Sequence, residues 1–130
     1  SIDKTAPGQG LEVGKKLATL VPITKTLIVV DKDVDVLNST EVMQAVGARW
    51  QPYPAAEIIK EARGMPLDPS APKRPMSSKI VIDATRQWPE EGGPAVYPER
   101  NRDLLNKLAP EAKKLVDARW DEYMRGWKRC

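Results

Sequence analysis

The 130 residues include no histidine, no phenylalanine and a single cysteine. Without histidine there is no Ser-His-Asp triad, no Cys-His pair and no imidazole-ligated metal within this chain. One cysteine excludes an internal disulfide and a thiolate zinc site, which suits a reducing compartment. Long apolar runs are also missing. The longest, Leu27 to Val30, is far too short to cross a bilayer. The excess of one sign of charge is small: 21 Lys+Arg face 18 Asp+Glu, and the basic residues are interleaved with acids. That mixture leaves no nucleic-acid footprint. Ser1 opens a polar stretch with no secretory leader in it, and a cytoplasmic location is the expectation.

What is present reads as one soluble α/β domain, at 41% apolar and 30% charged residues. Residues 1–10 carry Pro7, Gly8 and Gly10 and read as a lead-in loop. Leu11, Leu17, Leu20 and Val21, with Lys15 and Lys16 outside, predict a short amphipathic helix stopped by Pro22. The β-branched run Thr26-Leu27-Ile28-Val29-Val30-Asp31 lacks alternation, as expected of a strand covered on both faces. Asn38, with Glu41 three residues on, announces a helix whose inward stripe is Val42, Met43, Val46 and Trp50. Glu57-Ile58-Ile59-Lys60 reads as a short strand, and Lys79-Ile80-Val81-Ile82-Asp83 as another. A long terminal helix is expected from about Asn101 to Lys128, broken at Pro110, with Leu108, Leu115, Val116, Trp120, Tyr123 and Trp127 on one stripe. The fold expected is α/β: a small, mostly parallel sheet, flanking helices and a long C-terminal helix.

Three features bear on chemistry. Asp31, Asp33 and Asp35 alternate at the end of a strand, where α/β sheets often bind ligands. An EF-hand is excluded, because Val36 and Val42 stand where glycine and glutamate are required. Magnesium or phosphate binding and plain capping of the following turn both remain open. Pro66, Pro69, Pro72 and Pro75 recur every third residue, which suits either a polyproline segment read by an SH3-type partner or a stiff loop. The apolar load of the last helix needs a protein surface to cover it. Asp117, Asp121 and Glu122 among its basic residues argue against a membrane anchor. Arg100, Arg102 and Arg119 are candidates for anion pairing, with a solvated face as the default, and Cys130 is a lone terminal thiol.

The order of motifs resembles the C-terminal domain of UbiD-type (3-octaprenyl-4-hydroxybenzoate) carboxy-lyases. The matching pieces are Pro7-Gly8-Gln9, the stretch from Ile28 to Val36, Glu41-Val42-Met43-Gln44-Ala45 with Arg49, the stretch from Gly64 to Ser70, Lys79 to Thr85, and Ala118 to Tyr123. Gln44 stands where the family usually has Trp, and Trp50 where it often has Cys. The resemblance implies that residues 1–130 are a single domain of this type, with 101–130 as a helical arm for oligomer contacts. It implies carboxylation or decarboxylation of aromatic or unsaturated acids, with prenylated FMN, a divalent metal and potassium in the complete enzyme. The family's Glu-Arg-Glu network and most of its cofactor and metal ligands belong to a preceding, larger flavin-binding domain. No catalytic, cofactor or metal residue is therefore carried over here. What is carried over is narrower. The segment of Gly64, Met65, Pro66 and Leu67 would line the substrate pocket, with burial of Met65 and Leu67 in the domain's own core as the alternative. Leu115, Trp120, Tyr123 and Trp127 would face an oligomeric partner, either another copy or a larger subunit. A non-catalytic scaffold subunit of the same fold is the competing implication. A small ligand-binding domain built on Asp31, Asp33 and Asp35 is the reading that remains without the family.

Overall fold

A computed structural model describes residues 1–98 and 101–126. It divides into two compact units, Ser1–Ala95 and Val96–Cys130. The first unit carries α1 (Gln9–Leu20), β1 (Thr26–Val30), α2 (Ser39–Arg49), β2 (Ala56–Arg63), β3 (Met76–Ala84) and a 3₁₀ turn, Pro89–Glu91. The sheet order is β1-β3-β2. β1 runs parallel to β3, with Thr26 opposite Ile80 and Val30 opposite Ala84, whereas β2 is antiparallel to β3. The sheet is thus mixed, not mostly parallel. The reason lies in the connections: the crossover through α2 lets β1 and β3 run the same way, but residues 64–75 between β2 and β3 form a reversal without a helix.

β3 is the central strand, and its two faces meet different helices. Ile82 and Ala84 join Val30, Val34 and Ala45 in the core, with Ile80, Val42, Val46 and Trp50 packed against it. This is the α2 side. Met43, expected to point inward, is exposed there, and Ala45 and Arg49 take the buried positions of α2. Asn38 caps the helix as expected, its side-chain oxygen accepting from the amides of Thr40 and Glu41.

On the other face Lys79, Val81 and Asp83 meet α1. The helix forms where predicted, but not with the predicted inner face. Its buried residues are Gly10, Gly14 and Ala18, while Leu17, Leu20 and Val21 are exposed. A Cβ on Gly10 would strike the Asp83 carboxyl group, and one on Gly14 would strike Val81. Close approach of backbone to sheet has replaced the leucine stripe. The spacing makes this work: eight residues of helix rise about 12 Å and four of strand about 13 Å, so both ends stay in step.

β2 carries a bulge between Ile59 and Ala62, where Glu61 adopts a φ of 53°. In the second unit the expected long helix is three shorter ones: α3 (Asn101–Leu108), α4 (Pro110–Ala118) and α5 (Trp120–Tyr123). Pro110 begins α4 at a position where its missing amide costs nothing, and the chain leaves helical geometry again at Arg119. Among the described residues no helix is long and apolar enough to cross a membrane.

Two glycines give a paired prediction. Gly14→Val drives a side chain into Val81 and Val29 and should cost about 1–3 kcal/mol or more. Gly47, inside α2, faces open space, so Gly47→Ala should gain roughly 0.5–1 kcal/mol. Urea unfolding midpoints of the two variants, read against the parent chain, check both signs.

Candidate functional site: a braced apolar loop and a charge-neutral hub

The loop joining β2 to β3 spans residues 64–75. Its base is pinched shut where the Gly64 amide donates to the Pro75 carbonyl at 2.8 Å. A side chain at Gly64 would strike Ser77 Oγ, so the sequence needs glycine here for close packing. The loop then makes a turn in which the Asp68 amide donates to Met65 O at 3.1 Å. Pro66 occupies the second position of that turn, where its fixed φ is favoured. Met65 and Leu67 project outward, 47% and 74% exposed, and neither fills the domain core.

Turns at Ala71 and Met76 continue the loop, the Ala71 amide donating to Asp68 O and the Met76 amide to Lys73 O. A polyproline helix has no such internal hydrogen bonds, so the repeated prolines build a folded loop. Asp68 is its organising residue. Its Oδ1 accepts from the amide and the hydroxyl of Ser70, both at 2.9 Å, and its Oδ2 pairs with Lys25 Nζ at 2.7 Å. The hydrogen bond from Lys25, with those from Ser70, holds the carboxyl down at about 2. Arg74 Nε adds a bond to Asp68 O at 3.2 Å. In the sequence, Asp68 and Ser70 stand out only as part of the family motif and Arg74 only as a flank of the proline repeat, and Lys25 has no assigned part. An Asp-x-Ser pattern inside a proline-rich loop was the available signal.

At the C-terminal ends of β1 and β3 lies the aspartate cluster. Asp31 accepts from Arg49 Nη1 at 2.7 Å and from the Arg86 amide at 2.9 Å. Asp33 receives both terminal nitrogens of Arg49, at 3.1 and 3.0 Å, and Arg86 Nη2 at 2.8 Å. Burial opposes ionisation of Asp33, but the hydrogen bonds from Arg49 and Arg86 outweigh it and hold its carboxyl well below the usual range. Asp35 behaves as a capping residue, accepting from the Leu37 amide at 2.9 Å. Two carboxylates and two guanidinium groups form a neutral hub that ties the β1–α2 loop to the end of α2 and the exit of β3. Among the described residues no group of three or more His, Cys, Asp or Glu is arranged to hold a metal ion. With Asp31 and Asp33 committed to arginines, the residues present do not fit a divalent cation, and no reaction step is assigned to one in this chain.

In the second unit Leu115, Val116, Trp120 and Tyr123 are about half exposed. No residue of α4 or α5 is buried. Trp127 and Cys130 lie outside the described residues, as do Arg100 and the side chain of Arg102. Arg119 is spent locally: it pairs with Glu122 at 2.7 Å and lies over the Tyr123 ring.

A small mixed sheet covered by one helix on each face, with an exposed braced loop and an aspartate–arginine hub, defines a small α/β domain. Comparison with known proteins gives its lineage. The 3-octaprenyl-4-hydroxybenzoate carboxy-lyase C-terminal domain matches residues 1–84, and the chain belongs to that family. It is 43% identical over 74 residues to a phenolic acid decarboxylase of Sedimentibacter hydroxybenzoicus, covering 57% of this chain and 15% of that protein. It is 37% identical over 91 residues to an anhydromevalonate phosphate decarboxylase of Archaeoglobus fulgidus, covering 70% and 21%. The fold superposes on the open form of vanillic acid decarboxylase from Sedimentibacter hydroxybenzoicus with a TM-score of 0.70 at 32% identity, over 89% of this chain and 26% of that one. The UbiD-class enzyme HmfF from Pelotomaculum thermopropionicum, in complex with FMN, gives 0.66 at 28% identity, over 85% and 24%. The chain thus spans about a quarter or less of the length of the relatives it matches.

The hub makes a pH prediction. Because Asp33 is held below its unfolded value, its contribution is fully present above about pH 4 and is lost as pH falls through the lower, folded-state value. Urea midpoints should therefore drop between pH 5 and pH 2, each of these an approximate bound set by ordinary carboxylate titration. Asp33→Asn should be less stable than the parent chain at about pH 6, roughly two units above the ordinary aspartate value, and should lose part of the acid sensitivity. Arg49→Leu leaves Asp31 and Asp33 to share Arg86 alone and should cost about 3 kcal/mol.

Proposed function

We propose that this chain is the C-terminal module, within a longer protein or as a separate subunit, of a prenylated-flavin-dependent carboxylase or decarboxylase acting on an aromatic or unsaturated acid. The larger flavin-binding domain or subunit holds prenylated FMN, the divalent metal and potassium, and contains the reacting groups. This chain supplies one wall of the substrate pocket through Met65, Pro66 and Leu67. Its helical arm supplies oligomer contacts through Leu115, Trp120, Tyr123 and Trp127. A cytoplasmic setting is part of the same reading.

The observation that carries the reading is the outward Met65–Leu67 turn. Two aliphatic side chains stand exposed on a loop that is closed at its base and anchored to the sheet by an ion pair. As a wall, the turn would press against the flat face of an unsaturated acid and keep water from the carbon that loses or gains the carboxyl group. Met65 adapts to ring shape, and Leu67 gives fixed bulk. The role is positioning and exclusion of water, with no proton held or moved by these side chains. The vanillic acid decarboxylase that shares this fold has been solved in open and closed forms, which supports a closing motion in such enzymes.

The exposed apolar face of the arm favours the competing reading, a scaffold without a part in the pocket. Reconstitution separates the two. Adding the chain to the larger flavin-binding protein should restore turnover, and Met65→Trp should lower kcat/KM on bulky acids by about tenfold or more while sparing small ones. Trp120→Ala should weaken assembly in analytical ultracentrifugation. Assembly lost through Trp120→Ala, with turnover indifferent to Met65 and Leu67, would establish the scaffold and remove the wall.

A further inference from the structure

Met65 is about half exposed and Leu67 largely so, which leaves the backbone that carries them as the main control on where they point. That backbone is held from one side. Asp68 closes the turn: its amide binds Met65 O, and its carbonyl accepts from the Ala71 amide at 3.3 Å and from Arg74 Nε. Its side chain, 12% exposed, is gripped by Ser70 and by Lys25. Lys25 Nζ also donates to Ser70 Oγ at 2.6 Å, closing a three-residue ring of bonds. Lys25 is in turn fixed to the sheet, because its carbonyl accepts from the Ile80 amide at 2.9 Å. A continuous path therefore runs from the central strand through Lys25 and Asp68 to the turn.

We infer that Asp68, gripped by Lys25, is a positioning residue that sets the orientation of the Met65–Leu67 wall and so helps choose which acids the enzyme accepts. The inference rests on the pocket-wall reading and adds to it a residue that touches no substrate. Charge-assisted bonds to a carboxylate are the stronger kind, and a displacement of a wall by about 1 Å is enough to change rates severely. Losing either partner leaves the turn held only by its backbone bonds and by Arg74.

The test uses the complete enzyme, or this chain assembled with its larger flavin-binding partner. The readout is the ratio of kcat/KM for the acid turned over fastest to that for the same acid enlarged by one ring methyl group. Misfolded molecules cancel from this ratio, so a purely structural defect leaves it unmoved. Asp68→Ala and Lys25→Met should each shift it by about threefold or more, in the direction of Met65→Ala. Asp68→Asn keeps an acceptor for Ser70 but loses the charge facing Lys25, and it should give an intermediate shift. Hydrogen exchange at the Asp68 and Ser70 amides should quicken in the same variants. If Met65→Ala moves the ratio and neither Asp68→Ala nor Lys25→Met does, the positioning role is overturned and the wall stands. If Met65→Ala and Leu67→Ala are both silent, the wall falls and this inference falls with it.

Discussion

α1 lies against β3 so closely that no side chain fits at Gly10 or Gly14, and the methyl group of Ala18 is buried. The electrostatics of that contact explain why the strand face beneath it reads Lys79, Val81, Asp83. The helix runs opposite to the strand, so Asp83 lies against its first turn and Lys79 reaches its last. Lys79 Nζ donates to Ala18 O at 2.7 Å and to Val21 O at 3.3 Å, taking up carbonyls the helix leaves open. An acid at the amino end and a cation at the carboxyl end both complement the helix dipole. Each of these residues is almost wholly buried, and among the described residues no buried side-chain polar atom lacks a partner. The close approach removes water from the two charged groups; the helix carbonyls replace it for Lys79, and the amide and hydroxyl of Thr85 replace it for Asp83.

Other parts of the first unit inherit their positions from this contact. With Asp83 fixed, its Oδ1 takes the amide and hydroxyl of Thr85, at 3.0 and 2.6 Å. Thr85 Oγ1 accepts from Lys4 Nζ at 3.1 Å, and Lys4 pairs with Glu91 at 2.6 Å in near-complete burial. Burial alone would raise the Glu91 carboxyl, but bonds from Lys4 and from the Gly8 and Trp88 amides hold it below its ordinary value. The chain entering the unit, the start of α1 and the chain leaving β3 are thereby fastened at one corner. On the opposite face the Asp31–Asp33–Arg49–Arg86 hub does the same for α2. A strand flanked by two satisfied polar networks keeps one register, because a one-residue slip would turn Lys79 and Asp83 onto the α2 side.

This contact also explains what the sequence did and did not disclose. β1, the capped start of α2 and the apolar heart of β3 were legible because β-branched runs and an Asn-x-x-Glu spacing are local signals. The burial of Lys79 and Asp83 was not, since a lysine and an aspartate around Ile80-Val81-Ile82 read naturally as strand ends. The inner face of α1 was misread for the same reason. Periodicity weighs large side chains, whereas this interface is built from their absence. The strand direction of β2 depended on a loop whose prolines suited either a polyproline segment or a stiff loop, and its hydrogen bonds depend on a residue forty-three positions earlier, Lys25 to Asp68. The terminal helices followed the apolar stripe, but Pro110 and the non-helical backbone at Arg119 divided them.

The division of labour proposed for this family member follows from where polar groups are used up. Within the first unit the charged clusters are internally neutralised: aspartates with arginines, Lys4 with Glu91, Lys79 with helix carbonyls, Asp68 with Lys25. Groups committed in this way are poor acids, bases or metal ligands, because using them would strand a buried partner. Apolar side chains show the opposite pattern. Met65, Leu67, Leu17 and Leu20 in the first unit, and Leu115 and Trp120 in the second, stand in solvent. A domain that satisfies its charges within itself and leaves oily residues outward is built to be completed by contact. Its polar networks brace the fold, and its apolar loop is left outward.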